Sequence, residues 1–404
     1  MTENTEVIVI GGGYAGVMTA NRLTQRDDVT VTLINPRQSF VERIRLHQLV
    51  TGSDDAVVDY KDVLADGIQL VVDTVTRINA SERSVTLATG GTVNYQYLIY
   101  AVGSSSTDLG VPGAAEFAFP IATLEEAGRL QSVLAAASAT AAVTVVGAGP
   151  AGIETAAELA EAGRPVTLVC GGQLGPYLHP RGRRSVAKRL AKLGVTVLDG
   201  PGTKVTAVTR DAVRLGDGRA LPSEVTIWAA GFSVPDLAAR SGLSTDSSGR
   251  LLTDETLTSV DDGRIIAAGD SAAPSDLPFR MGCQSAVQLG PQAAETVLSR
   301  LAGEQPATVT VGFAGQCISL GRRSGIFQFS HRNDAAISVY LGGRPGAKLK
   351  EIVCKSTVWQ LTYEARKPGK HTWWTKDGKR QHLLQAKRDQ EPISLGALPA
   401  SSTR

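Results

Sequence analysis

Two glycine turns carry the first chemistry that can be read from this chain. The apolar run Glu6-Val7-Ile8-Val9-Ile10 leads into Gly11-Gly12-Gly13-Tyr14-Ala15-Gly16 and then a helical stretch to Arg26. About one domain length later, Val143-Thr144-Val145-Val146 leads into Gly147-Ala148-Gly149-Pro150-Ala151-Gly152 and a second helical stretch through Ala162. In each copy a buried parallel strand, a G-x-G-x-x-G turn and a helix opening on small residues follow one another. The first glycine allows the tight turn, the second lets backbone approach a pyrophosphate, and the third lets helix and strand pack closely. The helix N-terminus then offers unpaired N–H groups to phosphate oxygens. One copy alone reads as an ordinary glycine turn. Two in the same context predict two bound dinucleotides and an electron path between them.

Other residues fit that chemistry. The apolar strand Gly263-Arg264-Ile265-Ile266-Ala267-Ala268 stops at Gly269-Asp270, and a short carboxylate at a strand end can accept hydroxyl donors. Gln284 and Gln288 are four residues apart, so a helix puts both amides on one face. Glu154 falls on the helix of the second turn, where by itself it reads as an acid complementing the helix dipole. His47, His179 and His331 have no nucleophile or carboxylate at recognisable spacing and are read as surface or packing residues. The cysteines Cys170, Cys283, Cys317 and Cys354 are far apart in sequence, and neither a metal site nor a dithiol is predicted.

The elements that must position these residues are those of an α/β protein. Val29 to Ile34 completes a first β-α-β unit, with Asn35 and Arg37 at its end. Gln69 to Val93 is rich in Val and Thr and reads as antiparallel ribbon. Tyr97 to Val102 is another buried strand, ending at Gly103. Pro165 to Val169 completes the second unit, and Val225 to Trp228 ends at Ala229-Ala230-Gly231. We expect a first dinucleotide-binding part in residues 1–112 and 249–325, a second, inserted one in 113–248, and a basic C-terminal region in 326–404. At 404 residues the chain exceeds one ordinary core.

A content of 42% hydrophobic and 20% charged residues is that of a globular protein, and no apolar run is long enough to span a bilayer. No secretory signal is apparent at the N-terminus, which predicts a cytoplasmic protein. Charge is uneven: from Arg344 onward there are 13 Lys and Arg against 5 Asp and Glu, and the remainder is acidic. Leu349, Ile352, Val353 and Trp359 are helically spaced among Lys348, Lys350 and Lys355, and Trp373-Trp374 stand among further lysines. That pattern suits contact with the inner face of a membrane, or equally a homodimer partner or a solvated end. The acidic main body argues against nucleic acid.

Taken together, the two glycine turns, the inserted ribbon and the Gly-Asp strand resemble the two-dinucleotide-domain flavoprotein reductases over about residues 6–300. Tyr100-Ala101-Val102-Gly103 resembles that group's Ala-Thr-Gly element, with Val102 in place of Thr. No cysteine pair four apart lies between Gly16 and Val75, so the disulfide-reducing branch is excluded. Phe40 to Gly52, and Cys283-Gln284-Ser285-Ala286-Val287-Gln288, are similar to segments of the type II NADH:quinone oxidoreductases, the latter with Cys for the first Ala of a quinone motif.

The resemblance implies FAD contacts at Gly11, Gly13, Tyr14, Ala15, Gly16, Asn35, Arg37, Val75, Ala101, Gly103, Gly269 and Asp270. It implies NADH or NADPH contacts at Gly147, Gly149, Ala151, Gly152 and Gly231. It places Glu154 near the nicotinamide, and Gln284 and Gln288 at the quinone. Asn35 stands where a ribose-binding acid is expected, and Cys170 stands at the matching place in the second unit, with Arg181, Arg183 and Arg184 further on. The implied activity is hydride transfer from nicotinamide to flavin, followed by two-electron transfer to a quinone-type acceptor. Two other readings stay open: a soluble flavin-dependent reductase or oxidase of a dedicated small molecule, and a nucleotide-gated redox sensor like apoptosis-inducing factor.

Overall fold

The computed structural model of the protein describes residues 4–370 and 379–390. Its first sheet has five parallel strands in the order Ile265–Ala267, Tyr97–Tyr100, Thr5–Ile10, Val29–Asn35 and Gln69–Val72. The inner strands are continuously apolar because both faces of the sheet are covered; Val7, Ile8, Val9, Leu98, Ile99, Ile265 and Ile266 are all buried. Helix Tyr14–Leu23 is buried along its whole length. It crosses helix Cys283–Leu301 through small residues: Thr19 Oγ1 donates to the Gly290 carbonyl at 2.8 Å. A Cβ at Gly290 would lie 2.4 Å from the Ala15 carbonyl oxygen.

The second sheet repeats the plan, with parallel strands in the order Ala118–Pro120, Val225–Trp228, Val143–Val146, Val166–Val169 and Thr196–Leu198. Each sheet is accompanied by a three-stranded antiparallel ribbon, Val75–Asn79, Ser84–Leu87 and Thr92–Asn94 in the first case. The second ribbon is Val205–Val208, Ala212–Leu215 and Ala220–Pro222. In sequence, the whole second sheet lies between the strands Tyr97–Tyr100 and Ile265–Ala267, which are neighbours in the first.

The chain then forms an antiparallel sheet of Gly315–Ser319, Gly325–Ser330 and Ala336–Gly342, and the long helix Gly343–Arg366. This helix differs from the sequence expectation. Its buried positions are Gly346, Lys350, Cys354, Thr357, Leu361 and Glu364, a helical stripe that includes two charges. Glu364 is satisfied by Arg22, whose Nη2 donates to Oε2 at 3.1 Å. Lys350, expected at a membrane face, is turned inward instead. Ile352 and Trp359 stay exposed. Helix Arg380–Gln390 docks through Arg380, which makes two bonds to Glu255, at 2.7 and 2.8 Å. Trp373 and Trp374 lie outside the described residues.

Candidate active site

The two glycine turns have the same anatomy. Gly11 and Gly147 have φ of +101° and +120°, and a Cβ on either would strike the backbone of Ala101 or Ala229. A Cβ on Gly16 would lie 1.8 Å from the Gly11 carbonyl oxygen, and one on Gly152 would lie 1.9 Å from that of Gly147. These glycines therefore close the turn and press helix against strand. Gly13 and Gly149 behave differently: nothing lies within 4 Å of a Cβ there. Each caps a helix without a side-chain hydrogen bond, so N–H donors face open space. That is the cradle a pyrophosphate needs, and FAD and a nicotinamide dinucleotide both fit it. Ala151 lies in the first turn of the second helix, Pro150–Glu161, and its carbonyl accepts Thr155 Oγ1 at 2.7 Å.

Around the first turn the polar groups converge. Ala101 N–H donates to Ile10, which brings the strand end Ala101–Gly103 beside the turn, and Gly103 adopts φ +72°. Asp270 accepts Ser104 Oγ at 2.7 Å and the Gly282 N–H at 2.8 Å, with Arg43 Nη1 4.0 Å away. It thereby joins the strand-end loop to the N-terminus of helix Cys283–Leu301. Gly269, φ +69°, is needed because a Cβ would lie 2.8 Å from that of Ala15. Tyr14 packs edge-on against Phe40 at 5.0 Å. Val75 is buried at the start of the first ribbon.

Two candidates are engaged otherwise than expected. Asn35 Oδ1 accepts the Gly12 N–H at 3.0 Å and its Nδ2 donates to the Arg37 carbonyl at 3.0 Å. Together with Tyr60, whose hydroxyl donates to the Gly12 carbonyl at 2.8 Å, it pins the glycine turn. Arg37 is held by Glu125 through two bonds, 2.6 and 2.5 Å.

In the second unit Gly231, φ +77°, follows the strand Val225–Trp228. Burial, with the nearby Asp199 carboxylate adding to it, pushes the Cys170 thiol up to about 12. Asp199 was missed in the sequence because it belongs to the adjacent strand end rather than to the fingerprint's own second strand. Arg183 donates to the Leu174 and Leu178 carbonyls, whereas Arg181 and Arg184 line a groove of about 650 Å³ with Lys188 and Tyr340.

Gln284 and Gln288 form part of a ladder. Gln288 Nε2 donates to the Gly312 carbonyl at 3.0 Å, and Oε1 accepts the Gly312 N–H at 3.2 Å. One turn on, Gln292 does the same with Thr310, at 3.0 and 2.7 Å. The Gln284 amide, oriented to satisfy both partners, meets the Gly315 carbonyl and the Ala314 N–H, each at 3.1 Å. Three amides spaced by four thus hold segment 310–315 as a second strand would. Both amides of the pair are engaged by backbone.

Glu154 lies in a buried charge cluster. It accepts Lys350 Nζ at 2.9 Å and the Ser319 N–H at 2.9 Å, and His47 Nδ1 is 3.6 Å from its other oxygen. Burial would raise its carboxyl, but Lys350, His47 and the Ser319 N–H hold it below the ordinary range. Burial would likewise lower Lys350, and Glu154 foremost keeps it well above its usual value. His47, expected to lack a carboxylate partner, sits between two, since Glu158 is 3.9 Å from Nε2. Its partners come from a helix more than 100 positions later, which spacing could not show.

Two dinucleotide-binding modules, the second inserted into the first, define a flavoprotein reductase of the two-dinucleotide-domain class. Residues 5–296 match the pyridine nucleotide-disulphide oxidoreductase family, and the chain belongs to it. It is 30% identical over 353 residues to a NADH dehydrogenase-like protein of Mycobacterium tuberculosis, covering 80% of this chain and 87% of that one. It is 28% identical over 346 residues to the type II NADH:quinone oxidoreductase of the same organism, covering 74% of each. The fold is similar to that of the sulfide:quinone oxidoreductase of Aquifex aeolicus. There the TM-score is 0.75 at 19% identity, covering 99% of this chain and all of that one. It is also similar to NDH2 of Plasmodium falciparum in complex with NADH, with a TM-score of 0.76 at 16% identity over 90% and 97% of the two chains.

Proposed function

We propose that this protein is an FAD-dependent NADH dehydrogenase that passes two electrons to a quinone-type acceptor. The observation that carries the reading is the pair of open, uncapped glycine turns, each closed by strained glycines that no side chain can replace. FAD is assigned to the first turn, with Asp270, Gly103 and Ala101 beside its sugar chain, and NADH to the second, with Gly149 at the phosphates. The proposed parts are residues 1–112 and 249–325 for flavin, 113–248 for nicotinamide nucleotide and 326–404 for cover and contact. When bound, FAD supplies the two-electron chemistry between nicotinamide and acceptor. The chain's own groups orient it: helix Cys283–Leu301 aims its N-terminal dipole at the site, and the glutamine ladder positions segment 310–315 beside it.

The acceptor is assigned to the side where Lys350 and Glu154 meet Cys283 and Cys317. Relatives named for quinone reduction support that assignment, as does a buried ammonium able to give a proton to a quinone oxygen. Among the described residues no helix is long and apolar enough to cross a membrane. The exposed face of helix Gly343–Arg366 nevertheless carries Lys348, Ile352, Lys355 and Trp359 on one stripe, with Ile352 61% and Trp359 57% exposed. Basic and apolar groups in that arrangement fit the surface of an anionic bilayer, which we assign as the docking partner.

Rapid mixing tests the reading. NADH should bleach a bound flavin, and a menaquinone analogue should restore its absorbance within the turnover time. A long-lived charge-transfer complex that quinones do not discharge would identify a redox sensor instead. Flotation with anionic vesicles should be lost in Ile352→Glu/Trp359→Glu if the stripe docks there.

A further inference from the structure

The antiparallel sheet of the C-terminal part ends in an open edge. Among the described residues, strand Ala336–Gly342 pairs on one side only, with Gly325–Ser330. At its centre Gln328 Nε2 donates to the carbonyls of Ile337 and Val339, at 2.6 and 3.0 Å. The backbone groups of Ser338 and Tyr340, one residue out of phase, therefore point away from the sheet. Edges of this kind are ordinarily blunted by charged residues or proline, and Ala336–Gly342 contains neither. Instead Val339, Tyr340 and Leu341 are 55%, 37% and 38% exposed, the one run of three consecutive exposed large apolar residues among those described.

Beside this edge runs a stripe of positive charge. Arg181, Arg184 and Lys188 are spaced by three and four along helix Pro180–Lys192 and so share a face, and all three are exposed. On the same helix Arg189 is paired with Glu161, and Arg183 donates to two carbonyls. The stripe itself has no side-chain partner among the described residues. With Ser185, Ser338 and Tyr340 it lines the groove of about 650 Å³ between helix and strand, and no acidic residue is in the walls. Tyr340 leans to the helix side: a Cβ at Gly342 would lie 3.4 Å from its ring and 3.6 Å from Ser185 Oγ. Because side chains alternate along a strand, Val339 and Leu341 belong to the opposite face.

We propose that this groove docks an extended acidic segment of a partner protein, which adds to the open edge as a fourth strand. The geometry sets the pattern of that segment. Residues facing the helix carry carboxylates that meet Arg181, Arg184 and Lys188, and the residues between them are apolar and cover Val339 and Leu341. Main-chain bonds to Ser338 and Tyr340 fix the register, and the side chains give the specificity. A second copy of this chain does not suit the groove. Pairing two such edges about a two-fold axis puts both helices on one face, and the cations of each copy then meet with no carboxylate between them.

The test uses flavin-loaded full-length protein and a fluorescein-labelled peptide, Glu-Val-Glu-Val-Glu-Val-Glu, followed by anisotropy. The peptide should bind saturably and more weakly as salt is added. A peptide of the same composition with its glutamates in one block should bind about 10-fold more weakly, as should the alternating peptide N-methylated at its edge-facing residues. Arg184→Glu/Lys188→Glu should weaken the alternating peptide about 10-fold, since two attractions become repulsions. Both positions are exposed, and a normal circular dichroism spectrum shows that the variant is folded. No binding of the alternating peptide, or equal binding of the block or N-methylated peptide, would overturn strand addition. Unchanged binding in the charge-reversed variant would do the same. So would two other results: loss of flotation with anionic vesicles in that variant without peptide binding, which makes the groove a membrane surface, or a solution dimer that Val339→Lys dissociates, which gives the edge to a second copy.

Discussion

Glu154 and Lys350 form a 2.9 Å ion pair across two helices that belong to different parts of the fold, each side chain less than a tenth exposed. Such a pair is held by mutual dependence more than by net gain. Lys350→Met should therefore lower stability by about 3–5 kcal/mol, because it leaves Glu154 charged and buried. Glu154→Met added to it should recover much of that loss. Urea unfolding of the two variants checks both signs; equal stability of the single and double variants would mean that water reaches the pair.

The glycine turns predict different outcomes for neighbouring substitutions. A side chain at Gly13 or Gly149 meets nothing within 4 Å, and both residues have extended backbone. Gly13→Val should fold with a normal circular dichroism spectrum and purify colourless, its side chain standing where the pyrophosphate belongs. Gly149→Val should stay yellow and be reduced slowly by NADH. Gly16→Val, with its Cβ 1.8 Å from a carbonyl oxygen, should fail to fold. The ratio of visible to ultraviolet absorbance separates the three.

How far the sequence carried follows from what kind of signal each feature leaves. Both glycine turns, their strands and the Gly-Asp strand end are local patterns, because turn, phosphate cradle and helix packing are all set within about 20 residues. The roles of Asn35, Arg37 and the glutamines were not legible, since each depends on which distant backbone or carboxylate the fold brings to it. Lys350 misled more directly. It lies in a basic, aromatic-rich stretch, and only the ion pair with Glu154 explains why a lysine occupies the buried stripe of its helix. The sheet at 315–342 was hidden because only one of its strands, Gly325–Ser330, is flanked on both sides, and its edge strand Ala336–Gly342 carries exposed Val339, Tyr340 and Leu341.

Asp199 should set the choice between NADH and NADPH. It stands close enough to Cys170 to raise its thiol, at the strand end where the adenosine ribose is assigned. A carboxylate there accepts ribose hydroxyls and repels a 2′-phosphate. Asp199→Asn should narrow the preference for NADH, and Asp199→Arg should reverse it. The ratio of kcat/KM for the two nucleotides is the measurement, and an unchanged ratio in both variants would place the ribose elsewhere.

His47 also predicts a pH dependence of stability. Its folded value of about 4 lies below the ordinary 6.5, so between these values the unfolded chain takes up a proton that the folded chain refuses. This contribution is absent above about pH 6.5, grows as pH falls towards 4, and is constant below. At about 1.4 kcal/mol per pH unit it reaches on the order of 3 kcal/mol. His47→Gln should therefore lose stability less steeply than the unmodified protein over that window, as a series of urea midpoints would show. Parallel curves would mean that the imidazole becomes charged in place.

The glutamine ladder gives the sharpest separation of a structural from a ligand-binding role. Gln288 and Gln292 do the same work one turn apart, each satisfying both backbone groups of one residue in segment 310–315. Removing either amide should take a hydrogen bond from a backbone N–H and another from a backbone carbonyl, at about 1–3 kcal/mol for each lost bond. Gln288→Leu and Gln292→Leu should then lower the melting temperature by similar amounts. Reoxidation by quinone should slow in both, because the segment they clamp lines the proposed acceptor side. A ligand contact made by Gln288 alone predicts something else: normal melting in Gln288→Leu, slow reoxidation in that variant only, and no kinetic effect of Gln292→Leu. Melting curves and rapid-mixing traces on the same two preparations distinguish the cases, and Gln284→Leu, whose amide meets two neighbouring residues at the end of the segment, should fall with the other two if the ladder acts as one unit.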